Sequence, residues 1–167
     1  MAEARNGTIY YKRSRFLTHL PVDRLYTRSH SWLLEVRPNE WRVGLTRFAS
    51  RMLGDVVEFG FSVRSGETVA VGQTVGWIEG FKAISDMYCV AAGEFLGPNP
   101  ALDADITLLD AKPYADGWLY EVRGTPDVEA IKVEDYVTVL DATIDKMLGS
   151  RYDAADKTGE ADVEPRP

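Results

Sequence analysis

Val71-Gly72-Gln73-Thr74-Val75-Gly76-Trp77-Ile78-Glu79-Gly80-Phe81-Lys82-Ala83-Ile84-Ser85-Asp86-Met87-Tyr88-Cys89-Val90 is the stretch whose reading decides the fold. Apolar, β-branched and aromatic residues run into Glu79-Gly80-Phe81-Lys82 and away from it, so the local pattern is strand, turn, strand with Lys82 at the tip. Most turn lysines are only solvated charges that keep a surface soluble. A lysine on a hairpin tip is nevertheless as exposed as a fold allows, and another enzyme can reach it. Which of the two readings holds for Lys82 depends on the rest of the chain.

Outward from that hairpin, short strands and glycine turns recur. Ser31-Trp32-Leu33-Leu34-Glu35-Val36 and Trp41-Arg42-Val43-Gly44-Leu45 flank Arg37-Pro38-Asn39-Glu40, which reads as a second hairpin. Further strands are expected at Asp55–Phe59 and Trp118–Val122, with glycine turns at Gly66, Gly72, Gly80 and Gly93. Short strands at such spacing predict a small all-β sandwich or barrel. Between them, Thr46–Gly54 carries a helix with Thr46 as N-cap, Phe48, Met52 and Leu53 on one face, and Gly54 as the stop. Asn99–Asp105 reads as a turn-rich connection. Thr125-Pro126-Asp127 has the cap, proline and acid order of a helix start. Tyr136, Val137, Leu140, Ile144, Met147 and Leu148 then recur at helical spacing up to Gly149, as expected of a helix clamped on the β core.

Composition narrows the class. The chain has 167 residues, a length suited to one domain, and 45% hydrophobic residues, the share of an ordinary globular core. Its formal charge is −7, unevenly spread: residues 1–30 carry +4 and residues 151–167 carry −2, leaving −9 on the middle. An acidic body excludes nucleic acid as the main partner, because phosphate binding needs a basic surface. The start shows no secretory apolar region and no run reaches membrane-spanning length, so a soluble cytoplasmic protein is expected. Residues 1–24 are read as a basic extension lying along the domain, 25–150 as the domain itself, and 151–167 as an acidic, disordered tail.

Cys89 is the only cysteine, and His19 and His30 are the only histidines, so neither a disulfide nor a zinc site is expected. Cys89 lies in an apolar strand, where a buried, inert thiol is the default. Trp32, Trp41, Trp77 and Trp118 read as core or rim. His30 is open between a structural hydrogen-bonding role and a pocket wall.

Several stretches, in order, resemble the H protein of the glycine cleavage system. They are Tyr26-Thr27-Arg28-Ser29-His30-Ser31-Trp32, Val43-Gly44-Leu45-Thr46-Arg47-Phe48-Ala49, Leu53-Gly54-Asp55-Val56-Val57, Glu79-Gly80-Phe81-Lys82-Ala83-Ile84-Ser85-Asp86 and Pro113-Tyr114-Ala115-Asp116-Gly117-Trp118-Leu119, spanning residues 25–148. The resemblance implies a mainly β, flattened lipoyl-domain-like barrel (a barrel-sandwich hybrid) with a short internal helix and C-terminal helices. It also implies a non-catalytic carrier rather than an enzyme, with lipoate joined by an amide to Lys82. Glu79, Gly80, Phe81 and Ala83 would form the turn that attaching enzymes recognise, and Ser29, His30 and Asp86 the pocket of the loaded arm. The implied partners are glycine decarboxylase, aminomethyltransferase, dihydrolipoamide dehydrogenase and the lipoate-attaching enzymes, serving a carrier expected to be a monomer. In this family the cofactor supplies the chemistry and the protein supplies presentation.

The chain departs from the family pattern at Gly80-Phe81, where a small pair is usual; at Ser31, where the family has a Glu that helps hold the aminomethyl nitrogen; and at Met52, where it has a His. These departures keep open an H-like carrier or lipoate relay for another pathway, and an interaction module with Lys82 unmodified. A Schiff-base lysine would need a desolvated site, which an exposed tip near Glu79 does not offer. A biotin carrier would place methionines on both sides of Lys82, where Phe81 and Ala83 stand.

Overall fold

A computed structural model describes residues 7–158, with side chains described through residue 150. The strands are β1 (Thr8–Arg13), β2 (Phe16–Pro21), β3 (Leu25–Tyr26), β4 (Ser31–Arg37), β5 (Glu40–Leu45), β6 (Val56–Phe61), β7 (Thr68–Val69), β8 (Thr74–Gly80), β9 (Ile84–Tyr88), β10 (Ala91–Pro98) and β11 (Tyr120–Pro126). The helices are α1 (Arg47–Leu53), α2 (Ala101–Ala104), α3 (Leu108–Ala111) and α4 (Val133–Thr158). Strands β3-β4-β5-β11-β10-β7 form one sheet, β6-β8-β9 a second, and β1-β2 a separate hairpin. The expected β architecture is present as open sheets packed over one apolar core, rather than as a closed barrel.

That core draws Leu33, Val43, Phe95 and Val122 from the larger sheet and Val56, Val75, Ile78 and Met87 from the smaller one. Successive side chains of a strand point to opposite faces, so each strand turns one face to that core. A second cluster joins Tyr11 and Leu20 of the hairpin to Tyr26, Trp32, Phe48 and the Val133, Tyr136, Leu140 and Ile144 stripe of α4. The β1–β2 hairpin is held on α4 by Tyr11 Oη donating to Asp141 Oδ1 at 2.8 Å and by Arg13 gripping both oxygens of Asp145 at 2.8 Å; residues 1–6 of the expected extension lie outside the described residues.

Four local expectations differ from the structure. Thr125 and Pro126 do not start a helix but pair with Ala92 and Ala91 in the β10–β11 ladder, and Asp127 instead closes a turn by accepting from the Glu129 N–H at 2.9 Å. Asn99–Asp105 is not only turns, because α2 forms there, with α3 close behind. The long helix does not stop at Gly149 but runs to Thr158, so residues 151–158 belong to it; residues 159–167 of the expected tail lie outside the described residues. Met52 does not share the buried face of α1: it is 46% exposed, while Phe48 and Leu53 are buried. Among the described residues no helix is long and apolar enough to cross a membrane.

Candidate functional site

The β8–β9 hairpin presents Lys82 at an exposed tip on a clamped base. Gly80 N donates to Ala83 O at 2.9 Å and closes the turn. Phe81 N donates to Asp55 O at 3.1 Å and Lys82 N to Leu53 O at 2.8 Å, so the tip is bonded to the end of α1 and the segment after it. Such an approach requires bare backbone on both sides. A Cβ on Gly80 would lie 2.1 Å from Leu53 O, and one on Gly54 would lie 3.0 Å from Lys82 Cγ. Gly54 also has φ +76° and ψ −173°, a conformation essentially reserved for glycine. Gly80 is therefore the last residue of a strand pressed on its neighbour rather than the apex of a turn.

The side chains at the tip remain free. Phe81 is 78% exposed. Lys82 and Ala83 are exposed, Glu79 is half-buried, and Lys82 makes no ion pair with Glu79.

On one flank of the hairpin lies a cavity of about 390 Å³ that Ser29, His30, Ser31, Met52, Ala83 and Asp86 share with apolar side chains of both sheets. Three residues singled out in the sequence, Ser29, His30 and Asp86, thus face one space. Glu79, Gly80, Phe81 and Lys82 do not line it; Ala83 is the turn residue that does. Asp86 is the only carboxylate on the wall among the described residues, and Ser31 and Met52, the positions that depart from the family pattern, stand on it too.

His30 is held from behind. Its φ is +70°, in a tight loop where His30 N donates to Thr27 O at 3.0 Å and Ser31 N to Thr27 Oγ1 at 3.1 Å. The Tyr136 hydroxyl lies 2.8 Å from His30 Nδ1 and 2.9 Å from Thr46 Oγ1, so α4 fixes the imidazole and the N-cap of α1 together. Phe48 covers the ring at 4.6 Å between centroids. Burial lowers the His30 pKa from 6.5 to about 4, leaving the imidazole neutral near neutral pH. His30 is both a structural anchor and a pocket wall.

In the sequence Tyr136 stands out only as part of an apolar stripe. A tyrosine in such a stripe has a hydroxyl that needs a buried partner, and that was the available signal. Cys89 is buried with its thiol pushed up by desolvation, and donates to Ala91 O at 3.1 Å. Trp32 is fully buried, Trp118 carries the Arg42 guanidinium on its face, and neither lines the cavity. No group of three or more His, Cys, Asp or Glu that could hold a metal occurs among the described residues.

The family model described as glycine cleavage H-protein matches residues 24–142. The glycine cleavage system H protein of Corynebacterium jeikeium is 37% identical over 123 residues, covering 72% of this chain and 96% of that one. Its counterpart in Listeria monocytogenes is 36% identical over 125 residues, covering 73% and 98%. The crystal structure of a glycine cleavage system H protein from Mycobacterium marinum superposes with a TM-score of 0.64 at 33% identity, covering 71% of this chain and 97% of that one.

Proposed function

The chain belongs to the glycine cleavage H-protein family, and on that premise we propose that it is a lipoyl carrier whose arm is joined to Lys82. The arm moves an aminomethyl group and electrons among glycine decarboxylase, aminomethyltransferase and dihydrolipoamide dehydrogenase in the cytoplasm. The observation that carries this reading is the contrast at the tip: the Lys82 backbone is bonded to Leu53 O at 2.8 Å while its side chain stands exposed and unpaired. A fixed base with a free amine suits a group that an attaching enzyme must reach and that must then visit several active sites.

The residues present fit such a group. The tip offers a free amine for the amide, and Ala83, next in sequence, opens onto a mostly apolar cavity in the size range of small-molecule sites. Bound there, lipoate supplies a dithiolane for thiol exchange and a point of attachment for the aminomethyl group. The protein's own residues do the rest. Leu53 and Asp55 carbonyls hold the base of the arm, and Glu79 to Ala83 form the surface that attaching enzymes read. Asp86 offers the one carboxylate to an ammonium in the cavity. Neutral His30, fixed by Tyr136, adds no positive charge there, and Ser29 adds a hydroxyl.

Ser31 and Met52 on the same wall favour a second reading, an H-like carrier or relay that serves another pathway, because the cavity has a single acid for a cation. Two measurements test both. Intact mass and a peptide map of protein from a lipoate-competent host are expected to show a lipoyl increment on Lys82, lost in Lys82→Arg; an unshifted mass overturns the carrier reading in favour of an interaction module. Exchange of labelled CO2 into glycine with glycine decarboxylase is expected from the loaded protein. No exchange by fully lipoylated protein selects the second reading.

A further inference from the structure

We propose that the groove between the β1–β2 turn, α1 and α4 is a binding site for a medium-chain carboxylate, with its head group on Arg15 and Arg51. The groove has a volume of about 510 Å³ and borders the Asp86 cavity, with Met52 lining both. Its floor is apolar: Phe16, Phe48, Ile144, Met147 and Leu148 all face it. Its rim carries Arg13, Arg15, Arg51 and Lys82.

The cations differ in what they are free to do. Arg13 is committed, with its guanidinium 2.8 Å from Asp145 Oδ1 and 3.2 Å from Asp141 Oδ1. That pairing, with the edge-on contact of Phe16 and Phe48 at 5.5 Å between centroids, fixes the hairpin as a wall. Arg15 and Arg51 are exposed and form no ion pair or side-chain hydrogen bond with another described residue, although the chain carries a net charge of −7. Two unpaired guanidiniums over an apolar floor match a ligand with one anionic oxygen pair and an alkyl chain, since guanidinium takes carboxylate in a two-pronged fork. They repel an ammonium, so the groove differs in charge preference from the cavity that holds Asp86.

The walls also come from outside the matched family stretch. Arg13 to Phe16 precede residue 24, and Ile144, Met147 and Leu148 follow residue 142. The site therefore does not restate the carrier reading, and it does not require Lys82 to be modified. A concave volume of this size lies within the range of small-molecule pockets rather than of flat protein interfaces.

The test is a titration of the full chain with octanoate, 1-octanol and octylammonium below micelle-forming concentrations, followed by calorimetry and amide NMR. Saturable octanoate binding is expected, with shifts centred on Phe16, Phe48 and Met147, weaker octanol binding and no octylammonium binding. Arg15→Glu with Arg51→Glu is expected to weaken octanoate by about tenfold or more, and Met147→Glu to block the floor, each with unchanged circular dichroism. Lys112→Gln, an exposed cation that does not line the groove, is expected to bind as the unaltered chain does. Equal affinity for octanoate and octanol, unchanged affinity in the double variant, or no saturable octanoate binding overturns the proposal. Absent octanoate binding, together with salt-sensitive binding of glycine decarboxylase that the double variant loses, would make this face a protein docking surface instead.

Discussion

Lys82 donates its backbone N–H to the carbonyl oxygen of Leu53 at 2.8 Å, tying the tip of the β8–β9 hairpin to the last residue of α1. The bond crosses between elements that are far apart in the sequence, and it leaves the lysine side chain in solvent while immobilising its backbone. Gly54 and Gly80 make it possible, because any Cβ at either position enters the gap. The backbone beneath the exposed amine is thus anchored to the helix that lines the neighbouring cavity.

Gly54→Ala is expected to cost about 1–3 kcal/mol of stability, since its φ of +76° with ψ −173° suits glycine and a Cβ there meets Lys82. Urea unfolding measures the loss. Hydrogen exchange at the Lys82 amide should accelerate beyond the global effect; an unchanged amide would mean that the tip does not depend on this contact.

Tyr136→Phe removes the hydroxyl shared by His30 Nδ1 and Thr46 Oγ1. A loss of about 1–3 kcal/mol is expected, because buried polar partners lose a bond they cannot replace. The His30 ring resonances should move at the same time. Stability equal to the unaltered chain would show that the hydroxyl bridge contributes nothing.

His30 gives a pH dependence with a definite sign. Burial lowers its pKa from 6.5 to about 4, so the unfolded chain takes up a proton at higher pH than the folded one. The stabilisation is complete above pH 6.5 and is lost as pH falls toward 4. His30→Asn, which tolerates the positive φ, should flatten the stability difference across that window. Parallel stability curves for the two proteins would contradict the buried, neutral histidine.

Asp86→Asn is expected to shorten the lifetime of the methylamine-loaded carrier severalfold, followed by mass spectrometry, because Asp86 is the only acid among the described residues on the cavity wall. Ser31→Glu adds a second carboxylate to the same wall and should lengthen it. If both variants match the unaltered protein, the cavity is not where the loaded arm rests.

How much was legible follows from the range of each interaction. Val75, Trp77, Ile78, Ile84 and Met87 announce β8 and β9 by their apolar, β-branched and aromatic character, and Thr46 and Gly54 announce the ends of α1 by local capping. Thr125-Pro126-Asp127 misleads because the same residue order that opens a helix also ends a strand, and pairing with Ala91 and Ala92 decides between them. Gly149 misleads because it costs a helix only about 1 kcal/mol and here stands in open space. The four-residue helices α2 and α3 are too short to show a period.

The amino-acid sequence by itself determined the β-rich class, the exposed Lys82 turn and the family, because β-branched and aromatic runs, turn chemistry and the order of the motifs are properties of neighbouring residues. Only the tertiary structure decided that Leu53 grips the base of Lys82, that Tyr136 holds His30, and that Arg15 and Arg51 line one apolar groove. Each of these joins residues that chain spacing does not relate. They meet because two sheets, a hairpin and α4 must bury their apolar faces together, and the polar contacts follow from that packing.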